Sequence, residues 1–349
     1  MPNRSADLRS DTLTQPTAEM KQAIATAALG DDCYDEDPTV HRLQELAAEK
    51  VGMEAALYVP TGTMGNSCAL LSHTSPGDEI LFEERAHMYN WESGAFANVG
   101  GLAARTLSTP DGILRPEQLE AAMRPSNVHF PPSALVCIEN THNNHAGIAW
   151  TPAQVEAAAA VVHERGAKLH IDGARIFNAS IARHAEVGDY TRHADSLMFC
   201  ISKGLSAPVG SLVCGSRAFV DEAYRMRKRL GGAMRQVGII AAAGIVALET
   251  MVDRLAQDHA HARLLAQGLA ASEGITVEYP EEGGTNILMV DVGALGWTSA
   301  DLIEKWLSYG IRCNPRPPSR VRLLTHRHIS SEDVQYVVEV TQNLVSQSR

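Results

Sequence analysis

The chain has 349 residues, 45% of them hydrophobic, with 30 basic and 41 acidic side chains and a formal net charge of −11. A chain this long buries roughly three-quarters of its unfolded surface and exceeds one simple core, so one large domain and one smaller one are expected. An acidic chain without a basic block or aromatic-basic interleaving offers nothing to nucleic acid or to an anionic membrane surface, and both are set aside as partners.

The opening segment, "MPNRSADLRSDTLTQPT", lacks the apolar core of a signal peptide. The longest apolar stretch, "IIAAAGIVAL" at 239–248, is too short to span a bilayer. A cytoplasmic protein is expected. Cys33, Cys68, Cys137, Cys200, Cys214 and Cys313 are scattered without a C-x-x-C pair, several of them inside apolar runs. They read as reduced core thiols, neither a disulfide frame nor a zinc site, and no metal ligand set is assigned.

From about residue 40 helical and strand-like segments alternate. "TVHRLQELAAEKVG" has helical spacing, "AALYVP" is a short strand, and "MGNSCALLSH" is a helix entered straight from a turn. "DEILFEE" and "ALVCIEN" follow, then the amphipathic "TPAQVEAAAAVVHERG", the strand "AKLHIDGA" and two apolar runs, Leu197 to Ile201 and Val209 to Cys214. This order predicts an α/β fold, a mostly parallel sheet with helices on both faces. After a helical tract ending near Met251, "GITVEYP", "NILMVDVG", "TSADLIEKWLSYG", "IRCNPRPPSRVRLLTH" and "SEDVQYVVEVTQNLV" read as a smaller α+β domain. The division is placed at 1–252 and 253–349.

Lys203 lies between the two apolar runs. A lysine there is either paired or not an ammonium, since removal from water favours the neutral amine, which can attack a carbonyl to form an imine. Taken alone, a lysine snorkelling from a strand end explains it as well. Three further features bear on it. In "PTGTMGN", Gly62 and Thr63 stand between a strand and a helix, where free N–H groups and the helix dipole suit a phosphate; an ordinary capped turn has the same look. Asp172, in "LHIDGAR", ends an apolar strand and points toward the crevice where α/β proteins bind ligands, or else caps the next helix. His87, past "DEILFEE", can lie over an aromatic ligand or bond loop backbone. Phosphate cup, carboxylate and lysine, in that order, suit pyridoxal 5'-phosphate: phosphate on the helix N-terminus, ring nitrogen on the carboxylate, aldehyde on the lysine.

With "DLRSDTLTQPT", "GDDCYDEDPTV", "VPTGTMGN", "IENTHNN", "HIDGARIFNA", "ISKGLSAPVGS", "GGAMRQVG" and "VRLLTH" in this order, the chain resembles the low-specificity threonine aldolases of the fold-type I pyridoxal phosphate enzymes over essentially its whole length. The resemblance implies that Lys203 carries the cofactor, Asp172 holds the ring nitrogen, Gly62, Thr63 and the adjoining Met64 border the phosphate, and His87 stacks on the ring. It implies that Ser10, Arg175 and Arg322 bind the substrate α-carboxylate, Arg175 also lying close to the cofactor, and that His129 sits near the β-hydroxyl as first candidate for the base, with His87 second. Tyr34, Lys228 and Arg235 match positions that reach a neighbouring subunit's cofactor and substrate, which implies a homodimer or homotetramer with shared sites. The implied reaction is cleavage of L-threonine, L-allo-threonine or a related β-hydroxy-α-amino acid to glycine and an aldehyde. Phenylserine-type cleavage and β-elimination on the same scaffold are the alternatives. Two positions depart from the family pattern: Met64, where a polar residue is common, and Asp35, where glycine is frequent.

Overall fold

The computed structural model describes residues 4–347. A short strand, β1 (Ala6–Asp7), precedes the strands of a seven-stranded sheet: β2 (Ala55–Val59), β3 (Glu79–Glu83), β4 (Ala103–Leu107), β5 (Ser133–Glu139), β6 (Lys168–Asp172), β7 (Ser196–Cys200) and β8 (Ser211–Gly215). Their order across the sheet is β2-β8-β7-β6-β5-β3-β4, and β8 alone runs against the rest. The expected mostly parallel sheet is therefore present. The reversal into β8 passes through Gly210 at φ +112°, where a Cβ would lie 2.4 Å from the Tyr58 hydroxyl oxygen; only glycine fits there.

Why these runs are strands follows from burial on both sides. In β2, Ala55, Leu57 and Val59 pack with Cys68, Met198 and Phe219 on one face, while Ala56 and Tyr58 join Leu43, Phe199 and Leu212 on the other. Helix 62–73 and helix 217–229 cover the first face; helices 38–51 and 238–250 cover the second. Strands covered this way read as continuous apolar runs. Edge strand β4 is different, with much of "AARTL" exposed and Arg105 paired to Glu79, so its sequence carries little strand signal. Helix 38–51 shows its signals plainly: Asp37 accepts from the N–H groups of Thr39 and Val40, Pro38 opens the first turn, and Gly52 ends it at φ +66°.

Toward the C-terminus, β9 (Thr276–Glu278), β10 (Ile287–Asp291), β11 (Ile311–Arg312), β12 (Asn314–Arg316) and β13 (Arg320–Leu324) follow. Four of them form an antiparallel sheet in the order β12-β13-β10-β9, and β11 pairs in parallel with β1. Helices 255–270 and 331–347 cover one face, with Leu288, Val290, Val321 and Leu323 in that core. Ala6 and Leu8 belong to the same core, so the N-terminal arm crosses from the large sheet to the C-terminal one. Among the described residues no helix is long and apolar enough to cross a membrane.

Candidate active site

Gly62 and Thr63 follow β2, His87 follows β3, Asp172 ends β6 and Lys203 follows β7. These four strands are parallel in direction, so all four features collect at one edge of the sheet, the edge at which α/β folds bind ligands. There a cavity of about 390 Å³ is lined by Thr61, Gly62, Thr63, Asn66, His87, Glu92, Asp172, Cys200 and Lys203, among others.

The phosphate-type end is the start of helix 62–73. Thr61 caps it, its Oγ1 accepting from the Met64 N–H at 3.2 Å, and the Gly65 N–H is bonded to the Thr61 carbonyl. The N–H groups of Gly62 and Thr63 belong to the first turn, which has no acceptor inside the helix. A Cβ on Gly62 would lie 2.9 Å from Cys200 Sγ, so glycine lets the turn sit directly on β7. The Met64 side chain does not reach the cavity; its Sδ lies against Gly232, and it joins the apolar cluster on that face.

Asp172 is buried and has no ion-pair partner among the described residues. Its Oδ2 accepts from Asn66 Nδ2 at 3.1 Å and its Oδ1 from the Ala174 N–H at 3.2 Å. Asn66, fully buried on helix 62–73, also donates to Glu92 Oε1 at 2.8 Å, and so separates two carboxylates. Glu92 in turn accepts from His87 Nδ1 at 3.0 Å. Burial and the nearby charge of Asp172 raise the Glu92 pKa against the bonds from His87 and Asn66. For His87, burial opposes the proton, but the Glu92 bond and the charges of Asp172 and Glu139 outweigh it, and its pKa is raised. Glu139, the last residue of β5, accepts the His87 N–H at 2.7 Å.

Behind Asn66 runs a neutral chain. His170 Nε2 meets Asn66 Oδ1 at 3.1 Å, and Ser196 Oγ lies 2.8 Å from both His170 Nδ1 and His73 Nε2. Burial lowers the pKa of His170 to about 3 and of His73 to about 4, so both imidazoles are neutral. Asn66 uses its amide on the two carboxylates, so its oxygen must accept from His170 Nε2–H; the serine hydroxyl then donates to His170 Nδ1 and accepts from His73.

Two arginines stand near these groups without lining the cavity. Arg175, after β6, donates from its forked Nε and Nη2 to Asp11, and so is not a free carboxylate clamp. Arg322, on β13, is buried; it donates to Asn143 Oδ1 at 2.7 Å and to the Arg9 carbonyl at 3.3 Å, and its Nε has no partner. Burial, then the charges of Arg175 and Arg316, lower its pKa to about 9. Ser10 lies beside these groups in sequence, capping residues 11–13 and accepting from the N–H and hydroxyl of Thr12.

Within one chain His129 lies outside this cavity. Its loop leads into β5, at the amino ends of the parallel strands, whereas Asp172 stands at the carboxyl end of β6; His129 is exposed there, its N–H held by Asn127 Oδ1. Tyr34, Lys228 and Arg235 are also exposed and outside this cavity, Arg235 pairing with Asp31. Asp35, beside Tyr34, has φ +58°, which explains why glycine suits that position, and its carboxylate is held by His41 at 2.7 Å.

Asn66, Glu92, Asp11 and Asn143 were not read as site residues. A buried amide in the otherwise apolar "GNSCALL", one turn past the phosphate cup, was the available signal for Asn66; Glu92 had none, because only folding sets it behind His87. A second group, Glu83, His142 and His145, brings three ligating side chains together. Glu83 there accepts from His142, His145, the Arg85 N–H and Thr109, and His142 Nδ1 has no acceptor to orient it for a metal, so the group is a buried fastening.

The sequence pattern of the beta-eliminating lyase family matches residues 7–294. The chain is 40% identical to low-specificity L-threonine aldolase 1 of Arabidopsis thaliana over 97% of its own length and 96% of the relative's. It is 41% identical to the low specificity L-threonine aldolase of Escherichia coli, covering 94% of this chain and 96% of that one. Among solved structures, a threonine aldolase from Leishmania major superposes with TM-score 0.83 at 22% identity, over 97% of this chain and 99% of that one. Serine palmitoyltransferase from Sphingomonas wittichii shares the fold with TM-score 0.78 at 17% identity, over 99% and 88%.

Proposed function

The chain belongs to the beta-eliminating lyase family, and from that premise we propose that it cleaves L-threonine, L-allo-threonine and related β-hydroxy-α-amino acids to glycine and an aldehyde, using pyridoxal phosphate. It is a carbon–carbon lyase. The observation that carries the reading is the ring of first-turn amides, Asp172 and Lys203 around one cavity. The cofactor fits the groups present. Asp172 is a buried carboxylate with no ion-pair partner among the described residues, a place for a protonated ring nitrogen. The Gly62 and Thr63 amides are placed for a phosphate.

When bound, pyridoxal phosphate supplies an aldehyde for the substrate amine and a ring that accepts the electron pair of the breaking Cα–Cβ bond. Lys203 would hold the cofactor through its aldehyde. Asp172, kept in place by Asn66 and the Ala174 N–H, holds a proton on the ring nitrogen. Arg322 takes the α-carboxylate through its guanidinium fork. That grip would fix the orientation of the substrate. His87 gives Nδ1–H to Glu92, leaving Nε2 to take the β-hydroxyl proton as Cα–Cβ breaks. The exposed positions of Tyr34, Lys228 and Arg235 support a dimer or tetramer in which they serve a neighbouring copy's site. A cytoplasmic setting accords with the acidic, reduced-thiol composition.

The test is the absorption spectrum of the holoenzyme with L-threonine, acetaldehyde being followed by a coupled dehydrogenase. A band above about 400 nm, where cofactor imines absorb, shifts and acetaldehyde appears; in Lys203→Ala the band and steady turnover are lost. A band that shifts without acetaldehyde rejects threonine as substrate, and a band retained in Lys203→Ala rejects the lysine.

A further inference from the structure

The catalytic cavity does not account for the arginines of the C-terminal sheet. In β13, Val321 and Leu323 point into the core, so Arg320 and Arg322 share the opposite face. Cross-strand register adds Arg316 opposite Arg320, and Met289 opposite Arg322. Between this face and segment 84–91 lies a second cavity, of about 250 Å³, lined by Arg85, Trp91, Asn144, Met289, Arg316 and Arg320 among others. Its lining has no residue in common with that of the catalytic cavity, but chain neighbours link the two on both walls. Trp91 closes the helical turn that begins at His87, and Asn144 follows the asparagine that accepts from Arg322.

Arg316 is the residue the fold leaves unexplained. Its guanidinium stacks 5.5 Å from the centre of the Trp91 ring, and its Nη1 donates to the carbonyl of its neighbour Pro315 at 2.9 Å. Its Nε is shielded from solvent and has no partner, the same condition as the Nε of Arg322. The ion pairs of this face do not include it: Arg320 pairs with Glu278. Glu84 also lines the cavity, and its Oε1 accepts from Ser108. Burial lowers the Arg316 pKa, and the Arg316 charge contributes to lowering that of Arg322, so the two cations sense each other. The hairpin holding Arg316 contains Pro315, Pro317 and Pro318, whose fixed φ angles present the side chain with little freedom to lose.

A desolvated donor without an acceptor is costly, and a guanidinium is matched by a planar or tetrahedral anion. Arg316 stands opposite Arg320, diagonal to Arg322 on the same face, so one ligand bearing two anionic groups can meet both guanidinium groups. We propose that the Trp91–Arg316 cleft is a substrate subsite for an anionic side chain, so that the chain accepts β-hydroxy-α-amino acids whose β-substituent ends in a carboxylate or phosphate. Arg322 then takes the α-carboxylate and Arg316, braced on Trp91, the distal anion. The proposal rests on the aldolase reading for its substrate class, but the cleft itself can be tested without turnover.

The experiment is calorimetric titration of the holoenzyme with glutarate, with butyrate as the one-anion control, in the wild type and in Arg316→Gln. Glutarate binds about tenfold or more tightly than butyrate in the wild type, and the advantage disappears in the variant. Equal affinities in the wild type, or an advantage that survives in Arg316→Gln, overturns the proposal. Titration with 4-phosphonobutyrate separates the two anions: the subsite belongs to whichever ligand loses more affinity on the substitution. Because no step of this depends on catalysis, a chain that cleaves neither L-threonine nor any other β-hydroxy-α-amino acid sinks the aldolase reading and leaves the titration intact. In turnover, 3-hydroxyglutamate, which splits to glycine and malonate semialdehyde, exceeds 3-hydroxynorvaline in kcat/KM by a similar factor. A ratio near one rejects the substrate assignment.

Discussion

Arg175 donates from Nε and Nη2 to the two carboxylate oxygens of Asp11, each at 2.7 Å, with both side chains buried. Asn286 Nδ2 adds a third bond to Asp11 at 3.1 Å. One carboxylate therefore joins the N-terminal arm, the segment after β6 and the start of the C-terminal sheet.

Removal of Asp11 strands a buried guanidinium. Asp11→Ala is expected to cost about 3–5 kcal/mol, the range for breaking one side of a buried pair, read as a lowered urea midpoint with an unchanged slope. Burial opposes ionisation of Asp11, but the charge and bonds of Arg175, with the charge of Lys203, hold its pKa well below the carboxylate range. A depressed carboxylate stabilises the fold above its unfolded pKa of about 4, and the contribution is lost as pH falls through the lower folded value. The variant therefore shows a shallower loss of stability below about pH 4 than the wild type.

The His87–Glu92 bond sets the acid limb of the rate profile. With its pKa raised, His87 is protonated to a higher pH than a free imidazole, so kcat/KM for threonine should climb with pH through a value above about 6.5. Glu92→Gln removes the charge that favours the imidazolium and moves this limb to lower pH, by about one unit. An acid limb left in place by Glu92→Gln would remove His87 from the role of base.

His170 makes a different prediction, about stability alone. Its folded pKa, about 3, lies below the unfolded value, so the folded chain resists a proton that the unfolded chain takes up. The stabilisation is present above about pH 6.5 and is lost as pH falls toward the folded value, at up to about 1.4 kcal/mol per pH unit for one histidine. His170→Gln should flatten the decline between pH 6 and pH 4, about where that proton binds, in unfolding free energies from urea titrations. Parallel curves for variant and wild type would show that His170 does not stay neutral in the fold.

The elements that were legible were those with two covered faces or complete caps. "MGNSCALLSH" became helix 62–73, "DEILFEE" holds β3, and the runs beside Lys203 became β7 and β8. The exposed edge strand β4 went unread, because an edge strand needs only one neighbour and its solvent-facing positions accept polar residues. Gly62, Thr63, His87, Asp172 and Lys203 were identified as separate features, each following or ending a strand, and the fold collects them. His129 and the Met64 side chain were not collected. The first enters β5 from the far edge of the sheet, and the second turns to the apolar face of its helix.

By itself the sequence determined the alternation of strands and helices and the chemical types at the strand ends, since these depend on apolar runs, turns and caps that act over a few residues. Only the tertiary structure decided which charges meet. Asp11 and Arg175 are 164 residues apart, Asn66 and Asp172 are 106, and Asn143 and Arg322 are 179. Pairings at such separations come from strand order and from the packing of two sheets against each other. Local propensity has no term for either, and it is there that Arg175 becomes committed to Asp11 while Arg316 and Arg322 are left with unpartnered nitrogens.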